Sequence, residues 1–311
     1  MKKEGINDAS KKRRKKINGL WFYIAFMAIP VLQFLVFYVG VNANSFLLAF
    51  QSYDRINGGY KIVGFDNFVQ VYREFSGAGS VLTQSLKNSF IIYFVATAIE
   101  LPLSLFFAYY IYKKKPFSEF YRVVLFLPSI ISAVVFVTLF KVMVESGYKQ
   151  LCEDLFKLHD VKGLLSTPKT KFGTLLFYHV WVSFGTTLLV YSSAMSGVSD
   201  EIIEAAAIDG VSPMQELVKI VLPQIWPTIS TFLTVGIVGI FTDQAHLYTF
   251  YRDQSTVYTV GYYLFVQVMG DTATLSDYPV ASAMGLIFTF VAVPITLVLK
   301  WLLQKLDPVS E

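Results

Sequence analysis

Cysteine is almost missing from this chain: Cys152 is the only one in 311 residues. One thiol closes no intrachain disulfide and builds no cysteine-based metal site, so neither device is expected to hold the fold together. Charge is scarce too, at 15% of residues against roughly 25% in an average soluble chain. No stretch matches the GxxxxGK[ST] loop that cradles nucleotide phosphates, so ATP and Mg are not expected on this chain, and neither is an enzymatic activity. Repeats of solenoid period are lacking, as are low-complexity tracts beyond a short basic head.

What fills the chain is apolar side chains, 54% of the residues. The unit that counts is therefore a run of ~20 helical residues, enough to cross ~30 Å of hydrocarbon. Six such spans can be drawn, from Gly19 to Val41, Asn88 to Tyr112, Tyr121 to Val144, Gly173 to Ala194, Ile225 to Tyr248 and Ala281 to Leu303. The fold class expected is an all-α integral membrane protein, a bundle of about six transmembrane helices. The basic head Lys11 to Lys16 runs straight into the uncharged segment Ile17 to Tyr53. That pattern reads as a start-transfer helix with a cytoplasmic amino end rather than as a nucleic-acid contact. With this orientation Lys113 to Lys115, Arg122, Lys300 and Lys305 also fall on the cytoplasmic side, as the positive-inside rule requires.

The same threading gives a tail at 1–18, a six-helix domain at 19–303 and a second cytoplasmic tail at 304–311. Within the domain, 145–172 and 249–280 are external loops and 195–224 is a cytoplasmic loop. Five lysines between Ser146 and Lys171 oppose the orientation rule, but Glu153, Asp154 and Asp160 accompany them, and a small folded external cap is expected there. The uncharged run Ser255 to Gly270 is short for a crossing and holds two glycines, so an interfacial or re-entrant helix is expected. Pro30, Pro102, Pro128 and Pro294 lie inside spans and are expected to kink them.

Two groups of residues stand out against the apolar background. The first is EAAAIDGVSPMQELVKIVLPQIWPTI, from Glu204 to Ile229. Ser199 or Asp200 can cap a helix whose first turns hold Asp200, Glu201 and Glu204. Gly210 ends that helix in a left-handed turn. Ser212, Pro213 and Gln215 then supply a capping box for a second helix, through Leu217, Ile220 and Val221, which Pro223 is expected to interrupt. Ile203, Ala207 and Gly210 share one side of the first helix, and the small side chains Ala205, Ala206 and Ala207 admit another protein close to the backbone. A connector resting on lipid is the alternative. The second group is polar residues within spans, each costly in lipid. Glu100 stands in the second span; His179, Ser183 and Thr186 form a stripe on the fourth; Phe241, Asp243 and Gln244 lie in the outer part of the fifth. They are expected to line a solute pocket, with interhelical hydrogen bonding as the alternative.

EAAAIDG, with IVLP ending thirteen residues after its glycine, resembles the cytoplasmic EAA signature of permease subunits of binding-protein-dependent ABC importers. VGFDNF (Val63 to Phe68), LKNSF (Leu86 to Phe90), YRVVLFLPSIISAVVF (Tyr121 to Phe136) and TVYTVGYYLF (Thr256 to Phe265) are similar to the carbohydrate branch, type I, and most to the first of two paired permeases in maltose-porter-like systems. YRDQS stands where that family often has a Gly-Gly-Pro run after His246. The resemblance implies a heterodimer with a homologous second permease in a bacterial plasma (inner) membrane, both termini cytoplasmic. It implies two ATP-binding subunits beneath, holding ATP and Mg, and an extracytoplasmic solute-binding protein above that delivers a sugar or oligosaccharide. Glu204 and Asp209 would then be polar contacts to an ATPase, Ala205 to Ala207 the close-packed face, and Gly210 and Pro223 the turn and terminus of a coupling-helix loop. Other classes remain: a secondary transporter coupled to ions through Glu100 or Asp243, an ABC permease for a non-sugar solute such as glycerol phosphate or polyamine, or a scaffold without a pore.

Overall fold

A computed structural model describes residues 21–158 and 160–308. The basic head, the tail at 1–18, the first residues of the first span and the last three of the carboxyl tail lie outside the described residues. Helix α1 (Trp21–Leu48) carries a π-helical stretch at Phe34–Gly40 and leads into a two-stranded antiparallel hairpin, β1 (Gln51–Tyr53) and β2 (Tyr60–Ile62). Then come α2 (Asp66–Ser76), α3 (Val81–Tyr112), α4 (Ser118–Ile130), α5 (Ala133–Phe156) and α6 (Pro168–Met195). After a two-helix loop, α7 (Asp200–Ile208) and α8 (213–224), the chain continues as α9 (Trp226–Thr242), α10 (Leu247–Tyr251), α11 (Val260–Met269) and α12 (Asp277–Lys305).

Among the described residues five helices are long and apolar enough to cross a membrane, α1, α3, α6, α9 with α10, and α12; α4 with α5 makes a sixth, bent by 101°. The 32 residues of α3 reach about 48 Å, more than the ~30 Å required. Helix α11, at 10 residues, reaches only about 15 Å and is too short to cross.

The third span, drawn from Tyr121 to Val144 with a kink at Pro128, is broken outright in the structure and bends by 101°. Helix α4 stops at Ile130, and Ile131 and Ser132 are extended (ψ 140° and 131°) before α5 begins. Pro128 lies three residues before the break; it has no N–H to donate, and its ring excludes a carbonyl one turn back. Pro102 and Pro294 sit in helices that remain unbroken, so proline alone does not set the break. The fifth span is also interrupted: α9 ends at Thr242, Asp243 is extended, and Ala245 and His246 are left-handed.

Helices α3 and α6 pack along each other, α4 packs on α6, and α12 packs on α9 and α2. Close approach needs small residues where lipid supplies no hydrophobic drive. Gly185 of α6 is such a point: a Cβ there would overlap the Leu125 carbonyl of α4. Of the four apolar clusters among the described residues, the smallest centres on Ile111, Phe184 and Leu188, and the other three are larger. One joins Phe140, Tyr178, Phe250 and Tyr262, a second Leu82, Phe241, Met284 and Phe288, and a third Leu105, Tyr191, Met195, Leu217 and Val221. The segment after α5 folds back as a cap, with Leu165 buried in the first cluster and the Ser166 hydroxyl donating to Glu145 at 2.8 Å. By contrast, every residue from 21 to 44 on α1 is exposed.

Candidate functional site

A cavity of about 270 Å³ opens between α3, α6 and α9. Helix α6 lines it with His179, Ser183, Thr187 and Tyr191, spaced by four and therefore on one face. Helix α3 contributes Tyr93 and Glu100; α9 contributes Phe232, Gly236 and Gly239; the break after α9 contributes Asp243. The Thr187 hydroxyl donates to Glu100 Oε1 at 2.9 Å and lies 2.9 Å from the Ser104 hydroxyl. His179 Nε2 is 3.9 Å from Asp243 Oδ2.

The broken segment is held open by hydrogen bonds rather than by helix. The Ala245 N–H donates to Asp243 Oδ1 at 2.7 Å, and the Thr259 hydroxyl donates to the Asp243 carbonyl at 2.9 Å. The Val260 N–H donates to the Ser89 hydroxyl at 2.9 Å, which ties the start of α11 to α3. Backbone groups released where α9 ends thus find partners beside the cavity, as irregular backbone at membrane depth must.

Of the pocket residues expected, Glu100, His179, Ser183 and Asp243 line this one cavity. Thr186 does not; it is exposed and lies outside the lining, where Thr187 stands instead. Phe241 is buried against Phe288, ring centroids 5.5 Å apart, and Gln244 is half-buried outside the lining. Thr187, Tyr93 and Tyr191 escaped the sequence reading. From Ser183 a three-residue step reaches Thr186 and a four-residue step reaches Thr187, so helical spacing alone admits both.

A second feature is the loop between α6 and α9. Ser199 occupies the N-cap of α7 in extended conformation, without a side-chain cap bond. Gly210 has φ +72°, the Val211 N–H donates to the Ala206 carbonyl at 3.1 Å and the Gly210 N–H to the Ala207 carbonyl at 3.2 Å. Those two bonds make a Schellman turn, which favours glycine at its left-handed position. The capping box of α8 is present in both directions: the Gln215 N–H donates to the Ser212 hydroxyl at 3.4 Å, and the Ser212 N–H donates to Gln215 Oε1 at 3.1 Å. Pro223 does not interrupt α8. The ladder widens to a π turn over Leu217–Val221, with the Leu222 N–H donating to the Leu217 carbonyl, and the break falls at Ile225. A π turn spares the carbonyl that a proline ring would otherwise strike.

Within α7, Ala206 is buried against the protein's own core, so it is not available to a partner, while Glu204, Ala205, Ala207, Asp209 and Gly210 are exposed and Ile208 is 86% exposed. Helix α8 is clamped from beneath. Leu217 and Val221 are buried among Leu105, Tyr109, Tyr191 and Met195. Glu216, 8% exposed, meets the Lys113 ammonium at the end of α3 at 2.5 Å, and that ammonium lies 5.9 Å and 5.7 Å from the Tyr109 and Tyr112 rings.

Comparison with known proteins identifies the family and the fold. Residues 100–309 match the family described as binding-protein-dependent transport system inner membrane component. The chain is similar to the probable ABC transporter permease protein YesP of Bacillus subtilis, 28% identical over 238 residues, covering 73% of this chain and 75% of that one. It is 26% identical to the sn-glycerol-3-phosphate transport system permease protein UgpA of Escherichia coli O157:H7, over 74% of this chain and 76% of that one. To the diacetylchitobiose uptake system permease protein NgcF of Streptomyces coelicolor it is 23% identical, over 74% and 68%. The fold matches a chain of a bacterial ABC transporter involved in the import of the acidic polysaccharide alginate, TM-score 0.73 at 20% identity, covering 96% of this chain and 100% of that one. A chain of the alginate transporter in complex with an alginate pentasaccharide-bound periplasmic protein gives 0.75 at 20% identity, over 94% and 98%.

Proposed function

The chain belongs to the family of binding-protein-dependent transport system inner membrane components, and from that premise we propose that it forms half of the path by which a sugar or oligosaccharide is imported. An extracytoplasmic binding protein delivers the solute, and ATP is hydrolysed, with Mg, on two separate ATP-binding subunits. The loop of α7 and α8 lies in the cytoplasm, as do both termini, in a bacterial plasma membrane.

The observation that carries this reading is the construction of that loop. Its outer helix α7 presents Glu204, Ala205, Ala207, Asp209 and the bare Gly210 turn, while α8 is fixed to the bundle by Leu217, Val221 and the Lys113–Glu216 pair. A connector merely resting on lipid has no need of a buried ion pair beneath it. Such a rigid, exposed step fits an ATPase surface, and movement there is passed to α3 and α6, which line the cavity. ATP and the loaded binding protein then both favour one of two arrangements of the bundle. Helix α1, exposed along residues 21–44, offers its length to lipid on one side and to the homologous second permease on the other.

The test is ATP hydrolysis by the four-subunit complex in vesicles, with and without the binding protein and a panel of sugars. Stimulation that requires both binding protein and sugar is expected. Solute uptake driven by an ion gradient without ATP would place the chain among secondary transporters instead.

A further inference from the structure

We propose that the cavity between α3, α6 and α9 excludes anions, so that the solute this chain passes is a hydroxylated molecule without phosphate or carboxylate groups. The inference rests on the reading of that cavity as the solute path. Its lining holds two carboxylates, Glu100 and Asp243, and one imidazole, His179, but neither lysine nor arginine among the described residues. Three lysines elsewhere in the bundle have partners of their own. Lys113 pairs with Glu216, Lys141 donates to the Phe250 carbonyl at 2.9 Å, and Lys171 donates to the Thr256 hydroxyl at 2.8 Å.

An anion entering this space loses water and meets no cation from this half of the path, and a buried charge without a partner is among the most unfavourable arrangements in a protein. Protonation of His179 does not reverse this, because the ring lies 3.9 Å from the Asp243 carboxylate and serves that charge first. Each ionised carboxylate about 6 Å from a solute's negative charge lowers its occupancy by about a hundredfold at an effective dielectric near 20. Uncharged hydroxyls have the opposite fit. They donate to the carboxylates in charge-assisted hydrogen bonds and accept from Ser183. The cargo is thereby set apart from glycerol phosphate and alginate, which are named for two of the proteins this chain is similar to.

The experiment reads the charge of the cavity directly, because transport alone also reflects what the binding protein selects. In the full complex in membranes, with Cys152→Ser, a reporter thiol is placed by Gly239→Cys, where an added Cβ meets nothing within 4 Å. A second reporter is Ser183→Cys. Each is reacted with cationic, neutral and anionic methanethiosulfonates, and the rates are divided by those for a free thiol in solution. We expect the cationic reagent to exceed the anionic one by about tenfold or more, and Glu100→Gln with Asp243→Asn to bring the ratio close to one. An anionic reagent reacting as fast as the cationic one, or a ratio untouched by the double substitution, overturns the inference while leaving the transport reading intact. If the neutral reagent also fails at both reporters, the cavity is not a solute path, and the inference falls together with that part of the proposed function.

Discussion

Removing the negative charge of Glu216 should loosen the loop by which energy is proposed to enter the bundle. The Lys113–Glu216 contact is 2.5 Å long, with the two side chains 24% and 10% exposed. Breaking a fully buried pair by deleting one partner costs about 3 to 5 kcal/mol, because the other charge is left uncompensated. Lys113 keeps some access to water and has two tyrosine rings beside it, so about 2 to 3 kcal/mol is the figure to expect for Glu216→Gln. The Arg122–Glu119 pair, at 44% and 75% exposure, should be worth about 0.5 kcal/mol or less. Native-state hydrogen exchange of the amides in 213–224 reads the difference locally: ~2 kcal/mol corresponds to exchange faster by about 30-fold. A double-mutant cycle with Lys113→Gln then isolates the pair, and a coupling of about 2 kcal/mol is expected. A coupling below about 0.5 kcal/mol, or exchange in 213–224 unchanged by Glu216→Gln, would refute the claim that this pair clamps α8 to α3.

Gly210→Val should insert and pair normally yet lose the ATP-binding subunits on purification, since φ +72° strains a β-branched residue by about 1 to 3 kcal/mol although no atom lies within 4 Å of the added Cβ; Gly210→Asn should retain them, because asparagine tolerates that region. Gly185→Leu should lower the thermal stability of the solubilised chain and part α4 from α6, while Gly239→Ala should leave it near wild type; fluorescence melting of the two variants compares them. The Asp54 carboxylate accepts hydrogen bonds first from the Asn57 side chain and then from the Ile56 and Asn57 N–H groups, which hold its pKa below 3.8 in the folded hairpin. A depressed pKa contributes stability above the unfolded value that is lost as pH falls through the folded one. Proteolysis at Arg55 should therefore quicken below about pH 4, an acid dependence that Asp54→Asn should abolish.

The spans were legible because apolar runs of sufficient length have no other stable home. The breaks were not, and the reasons differ. Pro128 marks a kink, but the residues IISA after it are as apolar as a continuous helix would be, so neither the full break at Ile131 nor the 101° bend is read from hydropathy. In the fifth span the sequence DQAH did carry a signal, since three polar side chains in four residues are hard to place in a lipid-facing helix. The hairpin was also marked, by NGG at Asn57 to Gly59, where both glycines have positive φ. Local devices such as the Gly210 turn and the Ser212–Gln215 capping box were readable because their causes lie within a few residues. Which alanine of α7 faces inward was not, because Ala205, Ala206 and Ala207 are chemically identical and only the packing of α7 on the bundle buries the middle one. Thr186 and Thr187 pose the same problem on α6: both continue a helical stripe, and only the position of α3, with Glu100 opposite, selects Thr187.

That selection also joins the two features. Glu100 and Lys113 stand on the same unbroken α3, thirteen residues and therefore about 20 Å apart along a helix of 1.5 Å rise. On α6, Thr187 touches Glu100, while Tyr191 and Met195, one and two turns further on, lie in the cluster that receives Leu217 and Val221. The loop therefore rests on two of the three helices that line the cavity, by an ion pair at the end of α3 and by apolar packing on α6. A displacement of α7 and α8 cannot be absorbed between them without breaking either the Lys113–Glu216 pair or that packing. Densely packed contacts of this kind respond by shifting together rather than by deforming gradually. The Thr187–Glu100 and Thr187–Ser104 hydrogen bonds cross between α3 and α6, so under the proposed coupling a relative slide of these helices would strain them.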